Sequence, residues 1–322
     1  MASKWRISFL ICSWRAPASL DATLNSISRQ PNSELYETIL VNNGFTDERE
    51  AFFVKTYPQI NLTIIKERTL GQGHARCAGF NIVAGEIIVM LDDDNTLSDD
   101  FVPRLLELLD KYPQVGGICP VVLPEWETIP PSWLQDFGTL CLSYTAKNLS
   151  AAPDKTRYWG PAEAAGSPRP PGGGMIIHRD VAHLYLASVT DPERRALART
   201  GKHLIACEDY DIYSHLRLTG RGALETPQLV IYHHIHSARI RLPYLLRLNY
   251  WMLYSYIRLD FIFLNPRRIS LAKELWGQLI GALGSLKNGL IHRKHPAEIL
   301  CYLSRHAGSV AGYLSVAFRL KT

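Results

Sequence analysis

"GEIIVMLDDDNTLS", residues 85–98, is an apolar run that ends in three consecutive aspartates. Adjacent carboxylates repel one another, and burying them without a partner is costly. A chain that closes a buried strand in this way either turns the charges to open water or brings a cation to them. The segments on either side point to the second arrangement. Short β-type runs stand at "RISFLIC" (6–12), "YETILVNN" (36–43), "NLTIIKE" (61–67), "GEIIVMLD" (85–92) and "VGGICPVVL" (115–123). Between them the spacing predicts helices over 17–30, 46–57, 72–84 and 99–112. The last of these is expected to have Ser98 as N-cap and Asp99 and Asp100 in its first turn, where the helix dipole favours carboxylates. Continuous apolar strands alternating with helices predict an α/β fold with a doubly wound, mostly parallel sheet. Ligands of such sheets bind at the carboxyl ends of the strands, where Asn42–Asn43 and Asp92–Asp94 both fall.

Composition sets the outer limits. With 322 residues, 47% hydrophobic and 20% charged, the chain has the make-up of a folded protein with an ample core and not of a disordered one. Six scattered cysteines, with no CxxC pair and no metal-ligand spacing, are expected to be reduced thiols in a cytosolic protein. "ISFLICSW" is too short for a secretory h-region, and no long uncharged apolar run suggests a transmembrane helix. The net charge of +5 conceals an asymmetry: residues 239–322 carry 13 Lys/Arg against 3 Asp/Glu, which leaves 22 against 27 for the rest. A basic, aromatic-rich tail on a mildly acidic body is expected to meet an anionic surface.

The middle of the chain changes character. "PEWETIPPSWLQDFG" and "YWGPAEAAGSPRPPGGGMIIHRDV" are rich in Pro, Gly and aromatics and read as loops with short elements, the kind that form the lid or acceptor side of a site. A helical stretch "CEDYDIYSHLRLTG" (207–220) follows, with Gly220 as its C′ residue. From about 240 the pattern is helical, amphipathic and basic.

D-x-D at a strand end suits a hard divalent cation that keeps open positions for phosphate oxygens; the competing reading is a solvated acidic turn. Five segments taken together resemble glycosyltransferase family 2, which has the GT-A fold. "ISFLICSWRAPASLDATLNSI" is similar to its opening strand and helix, "ILVNNGFTDE" to V-D-N-G-S-T-D, and "GQGHARCAGFNIVAGEIIVMLDDDN" to G-x-A-R-N-x-G running into D-x-D. "GGGMIIHRDV" resembles the acceptor-side loop and strand, and "CEDYDIYSHLRLTG" the G-E-D-x-D-L-x-x-R helix. The ordered match runs over residues 6–240. It implies a GT-A domain over 1–240, with a nucleotide-sugar half to about 123 and an acceptor half over 124–240, and a helical basic extension over 241–322.

The resemblance also implies roles. The backbone around Cys12, Ser13 and Trp14, with Asn42, would hold the nucleotide base; Arg76 would lie near the phosphates; Asp92 and Asp93 would face the nucleotide sugar. Asp94 would ligate Mg²⁺ or Mn²⁺, and the register of "IYHHIHSARIRL" favours His233 as a second ligand. Gly173, Gly174 and Trp159 would line the acceptor side. Asp209 would be the general base, with Glu208 beside it to tune or orient it. The sequence departs from the family at Asn42, where an Asp is usual, and at Phe45, Cys77 and Cys207. The activity implied is inverting transfer from a nucleoside diphosphate sugar to a hydroxyl of a saccharide or lipid-linked saccharide, in polysaccharide or glycolipid assembly. A nucleotidyltransferase would require a Gly-rich phosphate loop after the first strand, which "CSWRAPASL" does not offer; an inactive scaffold on the same fold is the other alternative.

In the tail, Ile269, Ala272, Leu275, Leu279, Ala282, Leu283 and Leu286 recur at helical spacing between basic residues. This suits an interfacial helix on the inner face of an anionic membrane, or a helix packed on the protein body. "AGSVAGYLSVAF" (307–318) adds to the membrane expectation. Apolar stripes between the charges favour a membrane over a nucleic-acid backbone, and no nucleic-acid partner is expected.

Overall fold

The computed structural model describes residues 6–199, 203–266 and 270–319. Among these residues nine strands form one sheet: β1 (Ile7–Ser13), β2 (Tyr36–Asn42), β3 (Leu62–Lys66), β4 (Ile87–Asp92), β5 (Asn95–Leu97), β6 (Val115–Trp126), β7 (Arg157–Trp159), β8 (Ile176–His178) and β9 (Gly222–Ile235). Their order is β3-β2-β1-β4-β8-β6-β9-β5, with β7 paired to β9. The pairs β1–β2, β1–β4 and β2–β3 are parallel. β8 is antiparallel to both β4 and β6, so β4 and β6 run the same way. The five strands expected from the sequence therefore share one direction, and β8 is wedged among them. The buried faces of β1, β2 and β4 explain their unbroken apolar character.

Helices alternate with these strands: α1 (Ala18–Ser28), α2 (Asp47–Thr56), α3 (Gln72–Phe80), α4 (Phe101–Lys111), α5 (Ser132–Phe137), α6 (Arg179–Ser188), α7 (Pro192–Arg195), α8 (Glu208–Ser214), α9 (Leu242–Arg258), α10 (Leu271–Ile291) and α11 (Pro296–Arg319). α4 starts two residues later than expected. Its N-cap is Asp100, which makes no side-chain cap hydrogen bond, and no acidic residue lies in its first turn. The reason lies in the sheet: Ser98 N donates to Val230 O of β9 (3.1 Å), so the chain is still held in strand pairing where Ser98 would have capped. After α8 a tighter turn, His215–Leu218, ends at Gly220, whose φ of +66° is the left-handed conformation expected of a C′ glycine.

The chain divides into two compact units. The first comprises the residues up to Glu125 with Ser143–Thr190 and Asp209–His234; the second comprises Trp126–Leu142, Asp191–Glu208 and the chain from Ile235. The core of the first lies on the sheet around Leu10, Val41, Phe80, Met90, Ile177 and Tyr213. In the second, α11 lies on α9. A Cβ at Gly308 would fall 2.1 Å from Tyr250 O, and one at Gly312 2.9 Å from Ile257 Cβ, so small residues let the two helices approach backbone to backbone. One side of the run 307–318 is thus a helix–helix seam, where Gly308, Ser309, Gly312, Tyr313 and Val316 are buried, while Phe318 at its end is exposed. None of the six cysteines forms a disulfide, and burial pushes the Cys141 and Cys301 thiols up to about 12 and 11.

Candidate functional site

Within the first unit, the carboxyl ends of β1, β2 and β4 converge. Cys12 pairs in register with Val41 on one side and Asp92 on the other. Ser13, next along β1, is buried and donates from Oγ to Asp93 Oδ2 (2.5 Å). Burial is the main force on Asp93 and pushes its carboxyl from an ordinary 3.8 up to about 7; the Ser13 hydrogen bond opposes the rise, and Asp94 and Asp92 add to it. Trp14 is half exposed, with the Arg15 guanidinium 3.9 Å over its ring. A Cβ at Gly44 would come 2.9 Å from Trp14 Cδ1, so the turn after β2 forms the back of the indole.

That turn is fastened by Asn42. Its Nδ2 donates to Phe45 O (2.8 Å) and Glu50 Oε1 (2.6 Å), and its Oδ1 accepts from Gly44 N (2.8 Å) and Phe45 N (2.7 Å). Both amide hydrogens and the carbonyl oxygen of this buried side chain therefore have internal partners. Asn43 works likewise, bridging Glu67 O, Thr69 O and Gly71 N and so fixing the entry to α3.

Asp92 is held from α3. Gln72 Nε2 donates to its Oδ1 at 3.2 Å, and Arg76 Nη2 stands 3.4 Å from the same oxygen with its own side chain almost wholly buried. Asn95 Oδ1 accepts from Asp92 N (2.8 Å), closing the turn of the aspartate triplet. The glycine loop before β8 lies directly against this group. A Cβ at Gly173 would meet Asp92 Oδ2 at 2.4 Å and Asn95 Oδ1 at 2.6 Å; one at Gly172 would meet Arg76 Nη2 and Asp209 Cβ, each at 3.1 Å. Gly174 adopts φ +123°, a backbone that only glycine enters freely, and its N–H donates to Met90 O of β4 (2.9 Å). Arg169 completes this side, stacked 3.6 Å over the Tyr210 ring next to Asp209.

Asp94 meets β9. His234 N donates to Asp94 O (2.8 Å), Asn95 pairs with His233, and His233 Nε2 lies 3.6 Å from Asp94 Oδ2. Among the described residues, no group of three or more His, Cys, Asp and Glu is placed to hold a metal ion. An oxygen and a nitrogen donor side by side nevertheless fit a divalent cation that takes its remaining donors from phosphate oxygens or water.

The structure thus brings Ser13, Arg76, Asp92, Asp93, Gly173 and Asp209 into one connected cluster, with Asp94 and His233 joined to it through the triplet. Trp159 stands elsewhere, opposite Ala223 on β7 and half buried against the apolar core. Glu208 is buried at the start of α8, in the second unit. Gln72, Asn95 and Gly172 were not singled out from the sequence, although each lies within or beside a quoted motif. What they hold is visible only once α3 and the glycine loop are folded over Asp92.

A sheet of this order, with an antiparallel strand wedged beside the strand that carries the D-x-D, defines the GT-A class. Residues 8–163 match the model of glycosyl transferase family 2. An undecaprenyl-phosphate 4-deoxy-4-formamido-L-arabinose transferase of Photorhabdus laumondii is 34% identical over 104 residues, 31% of each chain. Several curated relatives align over only about a third of their own length. A glucosyl-dolichyl phosphate glucuronosyltransferase of Haloferax volcanii aligns more widely, at 19% identity over 80% of this chain and 78% of its own. Among solved structures, a mannosyltransferase of Pyrobaculum calidifontis in complex with GDP-Man and Mn²⁺ is 15% identical, with a TM-score of 0.57 over 98% of this chain and 88% of that one. That likeness is one of fold.

Proposed function

We propose that the chain is an inverting, metal-dependent glycosyltransferase that moves a sugar from a nucleoside diphosphate sugar to an acceptor hydroxyl. The observation that supports this most is the meeting of Arg76 from α3 and the Gly172–Gly174 loop at Asp92, with Asp209 from α8 against the same loop at Gly172. The half-exposed Trp14, with Arg15 over its ring and the turn that Asn42 fastens behind it, stands beside the nucleobase, while Cys12, Ser13 and Asp93 shape the floor next to it. Asp92, steadied by Gln72 and Arg76, faces the donor sugar. Asp94 and His233 would hold Mg²⁺ or Mn²⁺, which when bound neutralises charge on the departing diphosphate. Asp209 takes the proton from the acceptor hydroxyl on the side away from Asp94. Gly173 and Gly174 form the acceptor side.

The base narrows the acceptor. A phosphate acceptor is already ionised near neutral pH and needs no proton removed, whereas a hydroxyl does. Asp209 at the glycine loop therefore favours a sugar hydroxyl. With the wide alignment to a relative named for glucosyl-dolichyl phosphate, this supports a lipid-linked saccharide as acceptor, in polysaccharide or glycolipid assembly. The excess of Lys and Arg over Asp and Glu in residues 239–322 supports a peripheral protein at the cytoplasmic face of an anionic membrane, one that does not bind nucleic acid. The test is a screen of nucleoside diphosphate sugars for hydrolysis and transfer, with and without Mn²⁺. One donor should turn over only with the metal, and the absence of turnover with every donor would overturn the reading.

A further inference from the structure

α10 is amphipathic in the reverse sense of a helix that packs on a core. Its inward side is small and polar: Gln278 Oε1 and Ser285 Oγ lie 2.9 and 3.2 Å from the two ring nitrogens of His306 on α11, and Gly289, the one buried residue of α10, admits Ile299. Its outward side is apolar. Trp276, Leu279, Ile280, Leu283, Leu286 and Leu290 are 39–75% exposed, and they recur every three or four residues over about 20 Å of helix. A single stripe of this size on a water-soluble surface marks a face that something covers.

The charges around the stripe say what covers it. The exposed residues of α10 include Lys273 and Lys287 and no carboxylate, and exposed His292 and Arg293 follow its end. Glu274, the acid of its first turn, is half buried. A second copy of this chain would bring like charges together at such a face, whereas anionic headgroups would neutralise them. Among the described residues no helix is long and apolar enough to cross a membrane, so α10 can only lie in the plane of one. We infer that α10 is a bilayer-docking helix that inserts Trp276, Leu279, Ile280, Leu283 and Leu290 between anionic lipids, seated on α11 through His306. This deepens the membrane-surface part of the proposed function and assigns it to one helix face. Ile269, the first residue of the stripe in the sequence, lies outside the described residues.

The experiment uses the full chain and vesicles of phosphatidylcholine with or without phosphatidylglycerol. The wild type should cosediment with the anionic vesicles and release in high salt. Ile280→Glu with Leu283→Glu should cut that binding at least ~10-fold, as expected for removing two large apolar side chains from lipid, without changing Tm. Bromine-labelled lipid should quench wild-type tryptophan fluorescence more than that of Trp276→Phe, which keeps the test valid if the double variant misfolds. Equal sedimentation of wild type and double variant, or a dimer in solution that Leu283→Glu dissociates without any lipid binding, would overturn the inference. Metal-dependent donor turnover measured without vesicles reports separately on the proposed activity, so the two readings can fail independently.

Discussion

Replacing Gly173 by alanine probes the geometry at its tightest point. The added methyl would lie 2.4 Å from Asp92 Oδ2, 2.7 Å from Asp92 Cγ and 2.6 Å from Asn95 Oδ1. Neither neighbour can swing aside cheaply. The Asp92 carboxylate is held by Gln72 and Arg76, and Asn95 Oδ1 holds Asp92 N. Overpacking of this kind costs about 1–3 kcal/mol. Thermal unfolding should fall by about 2–4 °C for each kcal/mol in a domain of 150–250 residues. Because Asp92 is displaced in the process, calorimetry with the active donor and Mn²⁺ should show at least ~10-fold weaker binding, or about 1.4 kcal/mol. Gly160→Ala and Gly166→Ala are the controls, since a Cβ at either meets nothing within 4 Å. They also report the small gain that alanine brings by restricting the unfolded chain. If Gly173→Ala matches these controls in both Tm and affinity, the glycine loop does not lie on Asp92 as described.

Asp209→Asn keeps shape and removes basicity, so transfer should drop at least ~10²-fold with donor affinity unchanged; near wild-type turnover, or a product that retains the donor's anomeric configuration, would sink the mechanism. Asp94→Ala should lose Mn²⁺-dependent binding of the nucleoside diphosphate while keeping its unfolding temperature; unchanged metal-dependent affinity in titration calorimetry would remove Asp94 from the cation site. The Asp93 carboxyl is raised by burial from 3.8 to about 7, so its protonated form favours the fold. That contribution is complete below about pH 4, fades through the interval and is gone above about 7. Metal-free wild type should therefore lose stability as pH rises from 4 to 7 relative to Asp93→Asn, and parallel pH profiles for the two would contradict the burial described.

Much of the architecture could be read from the sequence, because continuous apolar runs of five to eight residues separated by helical spacing leave little choice of fold. The strand ends holding Asn42 and Asp92 were legible for that reason, whereas the pairing of His233 with Asp94 was expected only from the resemblance. β8 was not legible as a wedge in the sheet: Ile176–His178 is too short to carry a period. The delayed start of α4 was hidden because Ser98 is a good N-cap in isolation, and only its bond to Val230 removes it from that role. The amphipathicity of α10 was legible but its orientation was not. A stripe on a helix does not say which side faces inward, and here His306, a residue of α11, decides it.

The seating of the glycine loop bears on how this lineage can diversify. Gly174 N bonds to Met90 O, and Met90 N returns a bond to Met175 O (2.8 Å), so the loop and the strand that carries the aspartates are stitched into one ladder. Drift in the loop is heard at once at Asp92, and on the proposed function the loop cannot be retailored for a new acceptor without disturbing the donor side. Novelty must enter upstream, through Ser143–Pro171, where turns and the short β7 tolerate insertion and exchange. Descendants of this chain with different acceptors should therefore differ in that stretch and share the three glycines.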